Sequence, residues 1–269
     1  MRALIAAIFL LSVQNAASDE MPIFDAHIHY SHDAVAVLPP KEAVAILRKA
    51  GVRRALVSSS DDDGTQKLLA AAPDLVIPEL RPYRRHSDLA TWTRDPSVLD
   101  YVEQRLKKYE YVAIGEFHVY GADIDTPVGR RVVALAREHR LFLHAHSDAD
   151  AIERIFKQDA QARVLWAHAG FAPLETVRAM LGRYETLWCD LAFRSDHVRA
   201  GKVAPEWRAL FEQFPDRFLL GTDTYTPERW RQVEEHARWS REWLEDLPRD
   251  LAERIAYRNG EALFGDWHK

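Results

Sequence analysis

The feature that most constrains this chain is a rhythm. From Phe24 onward, short runs that are apolar on both parities alternate with longer amphipathic segments, with little padding between them. A strand with one wet face alternates apolar and polar residues, whereas a strand covered on both faces by helices reads as a continuous apolar run. The runs lie at 24–29, 54–59, 75–80, 112–119, 141–146, 163–167, 187–191 and 218–222. Helical patterns fill the gaps at 41–50, 98–108, 128–139, 149–158, 174–184, 206–214, 228–247 and 249–264. The first of these stops at Gly51, a residue type that closes helices, and the second carries Val98, Tyr101, Val102 and Leu106 on one stripe. Eight strand-then-helix units of about 30 residues match a (β/α)8 barrel. A doubly wound open sheet is the competing α/β arrangement, but no glycine-rich fingerprint follows the first run. The expected fold is therefore α/β, a single-domain TIM barrel over 19–269, with no repeat or linker to divide it.

Residues 1–18 read differently. Arg2 precedes an apolar stretch at 3–13, and Ala16, Ala17 and Ser18 lead into Asp19 and Glu20. Positive start, short apolar core and small-residue exit describe a secretory signal peptide, which places the mature protein in a periplasm or outside the cell. The apolar core falls short of the ~20 residues that span a bilayer, and no second such stretch follows. The formal net charge of -5 comes without any basic block, so the chain shows no nucleic-acid footprint. Its single cysteine, Cys189, excludes an intrachain disulfide and reads as a buried, inert thiol.

In a barrel the C-terminal strand ends converge on one mouth, so each end is a candidate for chemistry. The first ends in Asp25-Ala26-His27-Ile28-His29, which puts His27 and His29 on one face with Asp25 a step deeper as support. The fourth carries Glu116 and His118, the fifth His144 and His146, the sixth His168 followed by Gly170, and the eighth Asp223. Any one of these has a plain structural reading as a hydrogen-bonded core histidine or a helix-capping carboxylate. Their coincidence at one end of alternating units points to a metal centre.

The ordered motifs DAHIH, IGEF, LHAHSD, AHAG and GTD, followed by NGEALFG, resemble the amidohydrolase superfamily of metal-dependent barrel hydrolases, particularly its amidohydrolase-2 and TatD-like branches. The resemblance covers 24 to about 264. It implies that His27, His29 and Asp223 hold one divalent ion, that His144 and His168 hold a second position, and that Glu116 bridges the two. No lysine occupies the fourth strand, which excludes the carboxylated-lysine variant of such sites. His144 aligns with the fifth-strand motif and His146 then faces substrate, but the pair leaves the choice of ligand open. Zinc is the expected ion, one or two per chain, with manganese, iron and magnesium left open.

The resemblance further implies a metal-activated water, with Asp223 as the catalytic proton carrier. The expected activity is hydrolysis of a small amide, ester, lactone or phosphoester, and an anionic one if Arg81, behind the third strand, presents its fork to substrate. His118 and His146 would orient that substrate. A metal-dependent decarboxylase is the alternative. A TatD-like nuclease is a weaker one, because His118-Val119-Tyr120-Gly121 replaces the acidic, arginine-marked stretch of those relatives. A homo-oligomer is compatible with all three.

Overall fold

A computed structural model describes residues 20–267, so the expected signal peptide at 1–18 lies outside the described residues. Eight parallel strands form one ring: β1 (Ile23–His29), β2 (Val52–Ser58), β3 (Val76–Leu80), β4 (Ala113–Val119), β5 (Phe142–Ser147), β6 (Arg163–Trp166), β7 (Leu187–Asp190) and β8 (Phe218–Leu219). Each pairs in parallel with its neighbour in the chain. Closure comes from a bridge between Asp25 and Leu220, where the Ala26 N–H donates to the Leu220 carbonyl at 2.8 Å. The expected (β/α)8 barrel is the fold.

Helices cover the outside, the principal ones being Pro40–Lys49, Asp63–Ala71, Ser97–Lys108, Pro127–His139, Ala149–Gln158, Leu174–Arg183, Pro205–Gln213 and Val233–Leu244. Local chemistry starts several of them. Proline sits in the first turn of three, where its missing N–H costs nothing. The Thr126 hydroxyl accepts from the Gly129 N–H, and the Asp148 carboxylate accepts from the Ala151 N–H. Several elements differ from the sequence expectation, among them the unexpected helix His32–Val37. Asp63–Ala71 buries only Gly64, Thr65 and Leu68, too thin a stripe to register as a period. The expected helix 228–247 is broken into Pro227–Trp230 and Val233–Leu244, and 249–264 contains a π-helical turn at Arg254–Arg258. A two-residue hairpin, Val198–Arg199 with Lys202–Val203, interrupts the passage from β7 to β8.

The lower half of the barrel is an apolar plug of Phe24, Leu56, Ile77, Phe142, Leu165 and Leu219. Phe264 closes it from below, its ring 4.7 Å from Phe142 and 5.9 Å from Phe24. Gly260 permits this: a Cβ there would come within 2.3 Å of the Phe24 ring. With the bottom sealed, the polar inward residues gather at the opposite end. No helix among the described residues is long and apolar enough to cross a membrane.

Candidate metal centre

Five buried side chains meet above the plug. His27 and His29 leave β1 with their Nε2 atoms 3.1 Å apart. Glu116 of β4 faces them, Oε2 at 3.3 Å from His29 Nε2 and Oε1 at 3.7 Å from His27 Nε2. Asp223, just past β8, brings Oδ1 to 3.4 Å from His29 Nε2 and 3.8 Å from His27 Nε2. His168, just past β6, completes the group with Nε2 3.8 Å from each carboxylate.

The backbone is bent to present them. His168, Ala169 and Gly170 all adopt left-handed φ, at 55°, 47° and 63°. A side chain costs energy in that region, and such outliers gather at functional sites. Gly170 has a second reason, since a Cβ would lie 2.1 Å from the Trp166 indole. Gly115, at φ 155°, brings the start of Glu116 against β5, where a Cβ would be 2.4 Å from the His144 carbonyl. Asp223 also has positive φ, 50°. Its N–H donates to the His27 carbonyl at 2.7 Å, and Arg229 donates to the carbonyls of Asp223 and Thr222 at 2.6 and 2.7 Å. The neighbouring Thr222 is held by Asp25, which accepts from its hydroxyl at 2.7 Å and from its N–H at 3.1 Å.

Hydrogen bonds to the outer nitrogens choose the tautomers. His168 Nδ1 lies 2.8 Å from the Ala192 carbonyl, an acceptor only, so Nδ1 carries the hydrogen and the Nε2 lone pair faces the cluster. His27 Nδ1 is 3.3 Å from Asp190 Oδ2, with the same consequence. Burial, reinforced by the Arg81 guanidinium, pushes the His29 imidazole down to about 4, which keeps it neutral and able to ligate.

The arrangement fits a divalent ion. Ligands about 2.0–2.1 Å from one ion stand about 3 Å from each other, and the three shortest separations here are 3.1, 3.3 and 3.4 Å. Asp223 Oδ1 is buried without a hydrogen-bond partner, although it points at two imidazole nitrogens. The electrostatic field also favours positive charge. Burial drives the His168 imidazole down, yet Glu116, Asp190 and Asp223 outweigh it and raise it to about 9. Imidazole nitrogens with carboxylate oxygens suit zinc and its transition-metal neighbours.

The remaining candidates take other places. His144 is held between two carboxylates below the cluster, Nδ1 3.1 Å from Glu79 and Nε2 3.1 Å from Asp190. Burial pushes its imidazole down, but Glu79 and Asp190 together carry it up to about 10. His27, His144 and Asp190 form a further group of metal-capable atoms, in which His144 would offer Nε2 while Nδ1 stays on Glu79. His146 is the fifth-strand histidine that meets the cluster, with Nδ1 2.8 Å from Glu116 Oε1. Its ring stacks on His118 at 4.1 Å, and Glu116, His118 and His146 make a second, more open group of metal-capable atoms. Arg81 turns inward, donating from Nε to the Glu116 carbonyl at 2.9 Å and from Nη2 to Oε2 at 2.7 Å. Arg84 is tied to Asp88 and Asp95.

Sequence reading passed over Asp190 and Glu79. Asp190 is a hub: one oxygen serves His27 and His144, and the other accepts from the His168 and Ala192 N–H groups. Burial pushes its carboxyl up, but His27, His144 and His168 hold it well below the usual carboxylate range. Its signal was the one that marked Asp223, a carboxylate ending an apolar run. Above the cluster a cavity of about 260 Å³ opens to solvent between His118, Phe171, Phe193 and Tyr225.

Comparison with known proteins bears on the family and the fold. A family model described as Amidohydrolase matches residues 24–265. No curated protein matches the chain by sequence. Among solved structures, an uncharacterized TIM-barrel protein from Bordetella bronchiseptica is 13% identical with a TM-score of 0.59, covering 92% of this chain and 100% of its own. A probable 2-pyrone-4,6-dicarboxylic acid hydrolase from Acinetobacter baumannii, with citric acid bound, is 12% identical with a TM-score of 0.58, covering 91% and 100%. A TatD family hydrolase from Entamoeba histolytica is 10% identical with a TM-score of 0.55, covering 90% and 99%. At these identities the likeness is one of fold.

Proposed function

The chain belongs to the amidohydrolase family of metal-dependent enzymes, and from that premise we propose that it hydrolyses a small ester, lactone, amide or phosphoester. His27, His29, Glu116, His168 and Asp223 would hold the divalent ion, zinc by preference, with His146 and His118 beside Glu116 as the place for a second. The observation that carries the reading is Asp223 Oδ1, a buried carboxylate oxygen with no hydrogen-bond partner, directed at the imidazoles of β1. Held there, a divalent ion would supply Lewis acidity for the substrate oxygen and would lower the pKa of a water from about 15.7 towards about 7.

The protein's own groups do the rest. Asp223 takes the proton of the attacking water and returns it to the leaving group. Its pinned backbone keeps that carboxylate from swinging away. Asp190 and the Ala192 carbonyl hold His27 and His168 in the tautomer that faces inward. Arg81 balances the charge of Glu116 and fixes its direction. Arg81, held against Glu116, also lines the mouth, where it shares substrate positioning with the surrounding walls. Tyr83 accepts from the His118 N–H at 2.7 Å and the Trp92 indole donates to the His118 carbonyl at 2.7 Å, which steadies His118 and the stacked His146. Phe171, Phe193 and Tyr225 form an aromatic rim that favours a flat apolar group. The leader-like 1–18 supports export to a periplasm or the medium.

Metal analysis of the purified protein, paired with hydrolysis of aryl acetate, aryl phosphate, lactone and anilide substrates and with carbon dioxide release from aromatic acids, tests the reading. Hydrolysis that is lost on chelation and restored by zinc is expected. Carbon dioxide release without hydrolysis would move the protein to the decarboxylases, and neither activity on a metal-loaded sample would overturn the proposal.

A further inference from the structure

Beside the mouth, between the loops after β7 and β8 and the helix Val233–Leu244, lies a second cavity of about 540 Å³. None of the five metal-centre residues lines it. Phe193, Trp239 and Trp243 supply flat apolar walls, two polar side chains in its lining lack hydrogen-bond partners, and a third, Arg229, lies over the Phe193 ring at 3.9 Å with no carboxylate against it. His197 is 1% exposed, and neither of its ring nitrogens has a hydrogen-bond partner. Trp243 Nε1 is likewise buried without one. The Arg229 guanidinium makes hydrogen bonds only to backbone carbonyls, those of Thr222 and Asp223, and no carboxylate oxygen lies within 4.0 Å of it among the described residues. Native structures seldom leave buried polar groups unpaired, and each such group calls for a partner.

We propose that this cavity is a binding site for an aromatic carboxylate, separate from the metal centre. Indole and guanidinium can only donate, and burial pushes the His197 imidazole down to about 4, so at neutral pH it offers one donor and one acceptor. A donor-rich floor between aromatic walls matches a ligand with two acceptor oxygens on a flat ring. The volume falls within the usual range for a small-molecule pocket. Glu235 is the opposing charge, and it stands at the exposed rim, where water screens it. Phe193 walls both cavities, and Arg229 anchors the backbone of Asp223, so an occupant here would touch the support of the metal centre without entering it.

Benzoate is the probe, titrated against the metal-loaded protein and the same protein after chelation, with tryptophan fluorescence and calorimetry as readouts and acetate and benzyl alcohol as comparators. Saturable one-to-one binding of benzoate in both metal states is expected. Either comparator, which lacks the ring or the carboxylate, should bind roughly tenfold more weakly or worse. Trp239→Ala, at a partly exposed ring, and Arg229→Gln should each raise Kd roughly tenfold. Benzoate binding that disappears on chelation would place the ligand at the metal centre and overturn the proposal. So would absence of binding, or binding indifferent to Trp239→Ala. Should Arg229→Gln fail to fold, the Trp239 variant decides alone.

Discussion

At the scale of the residue, Asp223 is where structure and chemistry meet. A carboxylate normally hides its lone pairs in hydrogen bonds when buried, and this one leaves Oδ1 free while its own backbone is tied down on both sides. Asp223→Asn keeps the shape but cannot accept a proton. At saturating metal it should lower kcat by about 10²–10⁴-fold, measured on whichever substrate the hydrolysis panel identifies, with the bound metal counted in the same sample. Wild-type turnover in the variant would remove Asp223 from the proton path. Most of the residues in the centre were legible in the sequence, because a ligand at a strand end is announced by its position after an apolar run. Arg81 shows the limit of that reasoning. A guanidinium behind a strand can face substrate or a neighbour, and here the fold gives it both: a 2.7 Å contact with Glu116 and a place in the lining of the mouth.

At the scale of the element, the segment between β7 and β8 is the part that periodicity missed. Its two-residue strands are too short to carry a period. It delivers His197 into an aromatic seat between two helices, against Trp207 and Phe211 of Pro205–Gln213 and Trp239 and Trp243 of Val233–Leu244. Charging that ring would put a cation in the seam between them. The folded pKa of about 4 lies below the ordinary 6.5, so between these values the unfolded chain binds more protons, and acidification favours unfolding. This group's contribution is intact above pH 6.5, declines as pH falls towards 4 and is constant below. Wild type should therefore lose about 2–3 kcal/mol relative to His197→Phe between pH 7 and pH 4, measured by urea denaturation of both proteins. Parallel curves for the two would show that His197 does not titrate in this way.

At the scale of the whole molecule, the barrel is a device for bringing distant chain segments to one point under an apolar seal. The same construction buries Glu116, Asp190 and Asp223 close together, an arrangement that a bound cation relieves. A cation at 100 times its Kd would stabilise the fold by about 2.7 kcal/mol, so chelation should lower Tm by roughly 5–10 °C by scanning calorimetry, with recovery on adding metal back. An unchanged Tm would argue against the centre as a cation site. The alternation of buried strands and amphipathic helices determined the barrel, and the strand ends determined which residues reach its mouth, because both are written in local spacing. Three matters were settled only by tertiary structure: His146 rather than His144 meets Glu116, Asp190 joins three histidines, and Arg81 turns inward. Each depends on register and on distances between strands far apart in the chain. His144 pairs with Gly115 and His146 with His118, and in that register one imidazole meets Glu79 and the other Glu116.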